Sequence, residues 1–144
     1  MAYKPFNQAL HDAVDPPARA AVSKWVKMKW NLDARDNPNK YGVDLIVYRS
    51  GEPTGYIEVE VRQPNLHRYE TIHVAQRKEK LFQEDLPTLL FVLTGDLSHA
   101  WWVKSSEVKN SPLIEVPNTA VAKDEWFYDV PRTLFKYVDL NQPF

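Results

Sequence analysis

The sequence has no cysteine, few glycines and almost no net charge. Its 144 residues include 0 Cys and 4 Gly, and the formal net charge is -1. Without cysteine there are no disulfides and no thiolate metal sites, and so few scattered glycines cannot build a glycine-rich phosphate-binding loop. The balanced charge excludes binding to nucleic acid through bulk positive charge, so any such surface would be a local patch.

Long apolar runs are also lacking. Residues 1–10 do not resemble a signal peptide, and no segment is apolar enough to span a bilayer. We therefore expect a soluble, cytoplasmic protein with no membrane partner. The length suits a single domain over residues 1–144, and 5 Trp and 7 Tyr favour an ordered globule over disorder.

What the sequence does contain is a predicted β-hairpin over residues 41–62. Two runs of alternating apolar residues flank a turn that is rich in Gly and Pro at residues 51–55. The apolar rows are Val43, Leu45 and Val47 on the first strand and Ile57, Val59 and Val61 on the second. Because side chains on a strand alternate between faces, each row can enter one core.

The opposite faces of both strands carry acids, namely Asp44, Glu58 and Glu60. They emerge together only if Asp44 opposes an even-numbered residue, which requires a loop with an odd number of residues or a β-bulge. Carboxylates gathered in this way raise one another's pKa values and need a cation, for which a divalent metal is the usual candidate. The alternative is a solvated sheet face on which the acids meet only water.

Two helices are predicted to flank the hairpin. The signal at Asp15–Pro17 starts the first helix, which ends near Asn31 and carries Lys24 and Lys27 on a polar stripe. Its predicted inward residues are Ala18, Ala21, Val22, Trp25 and Met28.

The second helix is predicted to begin between residues 70 and 75 and to end near residues 85–87. Its predicted inward stripe is Val74, Lys78, Leu81, Phe82 and Asp85. Lys78 lies among apolar neighbours, so it either extends to water along its stem or reaches an anionic partner beneath the helix.

The strands after this helix predict a mixed α/β domain. Residues 88–94 are almost continuously apolar, as in a central strand buried on both faces, and residues 100–104 form another strand. This order implies at least one parallel crossover. Residues 110–119 are predicted to be a loop and residues 126–130 a strand, while residues 134–140 form a strand or a helical turn. This aromatic tail either closes the core or contacts a second copy of the chain.

This series of elements resembles a known family. A helix, Gly-Val-Asp-Leu on a strand, a turn, Glu-Val-Glu on the next strand, a basic helix and a buried strand resemble the core of the PD-(D/E)XK nuclease superfamily. The resemblance covers about residues 18–104 and implies a restriction-endonuclease-like mixed sheet. Residues 105–144 would be an aromatic-rich C-terminal extension.

The resemblance also implies roles for the acids. Asp44 and Glu58 match the acids that bind a divalent metal in this superfamily, usually Mg²⁺, with Mn²⁺ as a substitute. Glu60 occupies the position of the usual lysine, where it would be a further ligand or would accept a proton from water. Lys78 stands where some members carry a lysine that has moved to the following helix.

The implied activity is metal-dependent endonucleolytic hydrolysis of DNA. The DNA backbone would approach along basic residues, which are Lys24, Lys27, Arg62, Arg68 and Arg77. A homodimer would reach both strands of a duplex. The alternatives are a non-catalytic nucleic-acid-binding or assembly protein on a degenerate nuclease fold, and an unrelated α/β interaction module.

Overall fold

The fold is known from a computed structural model that describes residues 8–39, 41–62, 67, 69–82, 85–118 and 123–142. In chain order, its elements are α1 (Gln8–Trp30), β1 (Asp33–Asp36), β2 (Leu45–Arg49), β3 (Glu52–Arg62), β4 (Thr71–Ala75), the 3-10 helix η1 (Gln76–Phe82), β5 (Thr88–Thr94), β6 (His99–Lys104), α2 (Ser105–Lys109), β7 (Leu113–Asn118), β8 (Lys123–Pro131), the 3-10 helix η2 (Arg132–Leu134) and β9 (Lys136–Asp139). Within these described ranges, no helix has the length and apolarity needed to cross a membrane.

Among the described residues, the strands form two sheets. The main sheet has 6 strands in the order β1-β2-β3-β5-β6-β9, and the second sheet has 3 strands in the order β4-β8-β7. β3 and β5 pair in parallel, which confirms the predicted crossover, and β5 spans the predicted residues Thr88–Thr94. The mixed α/β architecture agrees with the predicted restriction-endonuclease-like fold.

Helix α1 begins earlier than predicted and covers one face of the main sheet. The predicted start at residues 15–17 is wrong, because the helix begins at Gln8 and continues through both prolines. Packing of the later turns against the sheet offsets the backbone hydrogen bonds that the prolines remove. Met28, predicted to face inward, is exposed because Val26 takes the last place in the buried stripe. The helix ends near Asn31 as predicted, in the left-handed conformation that terminates helices.

β2 and β3 form the predicted hairpin, and a bulge sets which side chains face each other. Its two turn residues, 50 and 51, have φ values of 51° and 83°, as in the type I′ turn that suits twisted strands. The cross-strand register shifts after Val47, so that Thr54 is the extra residue of a β-bulge. The turn has an even number of residues, so a regular ladder would place Asp44 opposite an odd-numbered residue. The one extra residue of the bulge instead places Asp44 opposite an even-numbered residue, as the prediction requires.

The region predicted as the second helix begins as a strand. Residues Thr71–Ala75 form β4 and pair with β8, because their β-branched side chains alternate between the core and the outside. The helix η1 starts only at Gln76 and is a 3-10 helix. Val74 and Phe82 are buried as predicted, whereas Asp85 is exposed and accepts a 3.3 Å hydrogen bond from the Tyr56 hydroxyl.

The C-terminal residues supply strands to both sheets. Of the predicted loop 110–119, residues 113–118 form β7, because their side chains can pair along β8. The predicted late strand is confirmed as β8, and residues 136–139 form β9, which pairs with β6 in the main sheet. Tyr128, Val130, Phe135 and Leu140 are buried, so the tail closes the core.

Two cores lie on the two faces of the main sheet. The first joins α1 to the face that carries Leu45, Ile57 and Phe91. The second joins the opposite face, at Leu90 and Val92, to the second sheet. Leu90 pairs with Glu58 and Val92 with Glu60, so the acids of β3 lie on the face that the second sheet covers, which we call the carboxylate face.

Candidate active site

Asp44 and Glu58 lie next to each other across the hairpin. Leu45 pairs with Ile57, and continuing this register by one residue places Asp44 opposite Glu58. Asp44 Oδ2 accepts a 2.7 Å hydrogen bond from the backbone N–H of Val59, which orients the carboxylate. Without the bulge, Asp44 would oppose an odd-numbered residue whose side chain points to the α1 side.

Glu58 is buried, and its carboxyl group therefore holds its proton more strongly than an exposed carboxyl group does. The residue is 8% exposed, and its pKa rises from 4.5 to about 7. Desolvation is the largest cause and the nearby charge of Asp44 the next, while Lys78 acts in the opposite direction. Among the described residues, no donor reaches Glu58 Oε2, which is buried.

Lys78 supplies one positive charge to this pair. Its Nζ lies 3.5 Å from Glu58 Oε1, and its side chain is 18% exposed. The sequence did not decide whether the Lys78 side chain extends to water or contacts an anion. In the structure it contacts the anion, which is Glu58. Lys78 comes from η1, so the cation reaches Glu58 from the layer above the carboxylate face.

Glu60 is not part of the same cluster. Its two carboxylate oxygens each accept a 3.2 Å hydrogen bond from the Arg62 guanidinium. Among the described residues, no three His, Cys, Asp or Glu side chains are close enough to hold one metal ion. The three acids share the carboxylate face as predicted, but Glu60 is held by Arg62, whereas Asp44 and Glu58 lie opposite each other. Glu60 as a third ligand stays a prediction that would require its carboxylate to leave Arg62.

Arg62, predicted to contact DNA, is engaged inside the protein. It also donates a hydrogen bond to the backbone carbonyl of His73 on β4, and its side chain is 22% exposed. Glu60 and Arg62 are two residues apart on one strand and so share a face. That spacing of opposite charges on one strand is the signal in the sequence for this pair, and it indicates an internal contact for Arg62 where a DNA contact was predicted.

The two lysines predicted to contact DNA lie on the far side of the main sheet. Lys24 and Lys27 are exposed on α1, which packs against the face opposite Glu58. Lys27 Nζ is 3.4 Å from Asp33 Oδ1 on the edge strand β1. These lysines are thus separated from the candidate active site by the thickness of the sheet, and their contact with DNA stays a prediction.

Arg77, also predicted to contact DNA, is exposed next to Lys78. It precedes Lys78 on η1, its side chain is 72% exposed, and its guanidinium lies 3.9 Å from Glu125. Such an exposed pair is weak, so the arginine can exchange its partner for a phosphate. Arg68, the remaining predicted DNA contact, lies outside the described residues.

Comparison with known proteins bears on this arrangement. Residues 6–114 match a family described as "Phage putative PDDEXK endonuclease". This chain belongs to that family. The match confirms the resemblance to the PD-(D/E)XK superfamily. A search of curated proteins found no match.

Nucleases of the PDDEXK family generally use divalent metals, and the residues of this member fit such an ion. The donors are the carboxylate oxygens of Asp44 and Glu58, which suit a hard cation. Mg²⁺ is commonly bound by one or two carboxylates and keeps several waters, so a pair without a third acid suffices. Glu58 Oε2, for which the described residues supply no donor, is a buried oxygen that a cation would satisfy.

Proposed function

We propose that this protein is a metal-dependent DNA endonuclease that hydrolyses phosphodiester bonds. The observation that carries the proposal is the pair of half-buried Asp44 and buried Glu58, with Lys78 Nζ 3.5 Å from Glu58. Two acids and a lysine are also the groups that the resemblance to PD-(D/E)XK nucleases implies for metal binding and for positioning of the attacking water. Asp44 and Glu58 would hold Mg²⁺, with Mn²⁺ as a substitute.

The bound ion would supply positive charge that polarises water and the scissile phosphate. The side chains of the protein itself would hold the ion and orient the reacting groups. Asp44 is held in place by the N–H of Val59, and Glu58 by its burial and by Lys78. Pre-oriented oxygens of this kind need no rearrangement during the reaction.

Lys78 has two tasks in this mechanism. As an ammonium it offsets the charge of Glu58, which favours the ionised carboxylate. It is also close enough to donate a hydrogen bond to the attacking water or to a phosphate oxygen once DNA is bound. Arg77, one residue earlier and exposed, would contact a neighbouring phosphate and position the backbone without reading sequence.

Cleavage of supercoiled plasmid DNA with Mg²⁺ or Mn²⁺ tests the proposal. We expect Asp44→Asn and Glu58→Gln to lower the cleavage rate about 100-fold or more, since each neutralises a ligand without changing its shape. Glu52→Gln is the matched control, because Glu52 is an exposed acid at the other end of β3. Equal cleavage by Asp44→Asn and wild type would contradict the assignment.

The main alternative is a nucleic-acid-binding or assembly protein on the same fold that does not cleave. The observation that favours it is Glu60, which replaces the usual lysine and is held by Arg62. Binding of wild type to DNA without cleavage in either metal would support this alternative. A homodimer that reaches both strands stays a prediction, and sedimentation of the protein with and without DNA tests it.

A further inference from the structure

We propose that Arg62, held by Glu60, is a positioning residue that ties the second sheet to the main sheet and so keeps Lys78 against Glu58. This inference rests on the proposed nuclease function. It assigns a task to the acid that replaces the usual lysine, and it makes Arg62 a structural link instead of a DNA contact.

The link consists of one guanidinium between two layers. Arg62 Nε donates to Glu60 Oε1 and a terminal nitrogen to Oε2, both at 3.2 Å, which is the two-point geometry that fixes a guanidinium plane. The same terminal nitrogen donates to the His73 carbonyl. Glu60 and Arg62 belong to β3 of the main sheet, whereas His73 belongs to β4 of the second sheet. Arg62 therefore joins the sheets through hydrogen bonds on the carboxylate face.

The position of His73 connects this link to the candidate active site. β4 ends at Ala75 and η1 begins at the next residue, so only four residues separate His73 from Lys78. A 3-10 helix has poor hydrogen-bond geometry and little stability of its own, so the placement of η1 depends on the elements around it. Anchoring β4 at His73 thus restricts where Lys78 can lie.

Other contacts hold η1 less directly to the hairpin. Ile72 and Val74 bury β4 in the second core, and Phe82 buries the end of η1. These apolar contacts keep the layers together, but they are non-directional and do not fix a side-chain amine at hydrogen-bond distance. Two directional contacts join the second layer to β3, namely the hydrogen bond from Arg62 to the His73 carbonyl and the ion pair of Lys78 with Glu58.

Glu60 has a purpose in this arrangement. A lysine at position 60 would repel Arg62 and remove its two acceptor oxygens. With the lysine function at Lys78 on η1, the position on β3 is free to carry an acid that anchors the layer from which Lys78 comes. In this proposal, Glu60 fixes Arg62, Arg62 fixes β4, and β4 places Lys78 beside Glu58.

Kinetics of Arg62→Gln test the inference. We expect the turnover number to fall about tenfold, while KM for DNA and the affinity for Mn²⁺ change less than about twofold, since DNA and metal contacts remain. Arg19→Gln is the matched control. Arg19 is similarly buried and lies 3.1 Å from Asp36, but it joins α1 to β1 on the other side of the sheet. A change confined to KM would overturn the inference in favour of a DNA contact.

A double-mutant cycle with Lys78→Met shows whether Arg62 acts through the lysine. We expect Arg62→Gln to change turnover less than about twofold when Lys78 is already replaced, because residues that act as a unit are not additive. Losses that multiply would overturn the inference. Glu60→Gln, which retains one acceptor oxygen for Arg62, should lose less turnover than Glu60→Ala.

Amide hydrogen exchange separates this inference from the proposed function, since it does not depend on cleavage. We expect Arg62→Gln to speed exchange in residues 76–82 about tenfold or more relative to wild type, with no such effect in Arg19→Gln. If wild type fails to cleave DNA but this change occurs, the nuclease proposal fails and the link between the layers stands. Unchanged exchange in residues 76–82 would overturn the link whatever the activity.

Discussion

Lys78 Nζ lies 3.5 Å from Glu58 Oε1, although the two residues belong to different layers of the protein. Glu58 is on β3 in the main sheet, and Lys78 is on the 3-10 helix that follows β4 of the second sheet. The candidate active site is therefore assembled where the layers meet. Its chemistry depends on the packing of the second sheet as well as on the hairpin.

Replacement of Lys78 by methionine should reduce cleavage and leave the fold intact. Lys78→Met keeps the length of the stem but removes the charge beside Glu58, so we expect the turnover number to fall about 10² to 10³-fold. The pKa of Glu58 should also rise further, because the lysine lowers it. Single-turnover cleavage across pH 6 to 9 measures both effects. Activity within a few-fold of wild type would remove Lys78 from the mechanism.

The stability of the metal-free protein should fall as the pH rises from about 5 to about 7.5. The pKa of Glu58 is about 7 in the folded protein and 4.5 ordinarily, so in this range the unfolded chain releases the proton first. Ionisation then favours unfolding, and the free energy of unfolding should drop by a few kcal/mol above the folded pKa. Below about pH 4.5 both states hold the proton, and this loss is absent.

Urea unfolding of wild type and Glu58→Gln in EDTA measures this loss, since the glutamine cannot ionise. The difference between the two proteins should grow from pH 5 to pH 8 in favour of Glu58→Gln. Adding Mn²⁺ at pH 8 should stabilise only wild type, because the ion binds the folded carboxylates. A pH-independent difference would contradict a raised Glu58 pKa.

Removal of Thr54 should leave Asp44 beside Glu58. Thr54 is the unpaired residue between the pairs Tyr48–Pro53 and Val47–Gly55, so its deletion closes the ladder without changing any other pair. We expect Mn²⁺ affinity, measured by calorimetry, to stay within about threefold of wild type, because both carboxylates keep their positions. A loss of about 100-fold would contradict the assigned register.

DNA binding should depend on Arg77 more than on the lysines of α1. Arg77→Ala should weaken binding of a duplex in Ca²⁺ about three- to tenfold and reduce its salt dependence, because one phosphate contact is lost. Lys24→Ala and Lys27→Ala, on the opposite side of the sheet, serve as the comparison. Fluorescence anisotropy at two salt concentrations measures all three. A larger loss at Lys24 or Lys27 would show that DNA contacts the α1 side.

Local patterns in the sequence were sufficient for the hairpin and the central strand. The alternation around Ile57 and the apolar run Thr88–Thr94 reflect burial on one face or on both, which a strand records directly in its residues. The helix predicted to begin between residues 70 and 75 failed, because Thr71–Ala75 pairs with β8, more than 50 residues away along the chain. A run as short as this fits both a helix and a strand pattern, and pairing with β8 is what makes it a strand.

The sequence by itself determined that Asp44 and Glu58 point away from the apolar rows, because side chains alternate on a strand and apolar residues leave water. Only the tertiary structure decided what each acid contacts. The bulge at Thr54 places Asp44 beside Glu58, and the second sheet brings Lys78 to Glu58 and the His73 carbonyl to Arg62. These contacts depend on register and layer packing, which arise from pairings between distant segments and leave no periodic signal in the residues themselves.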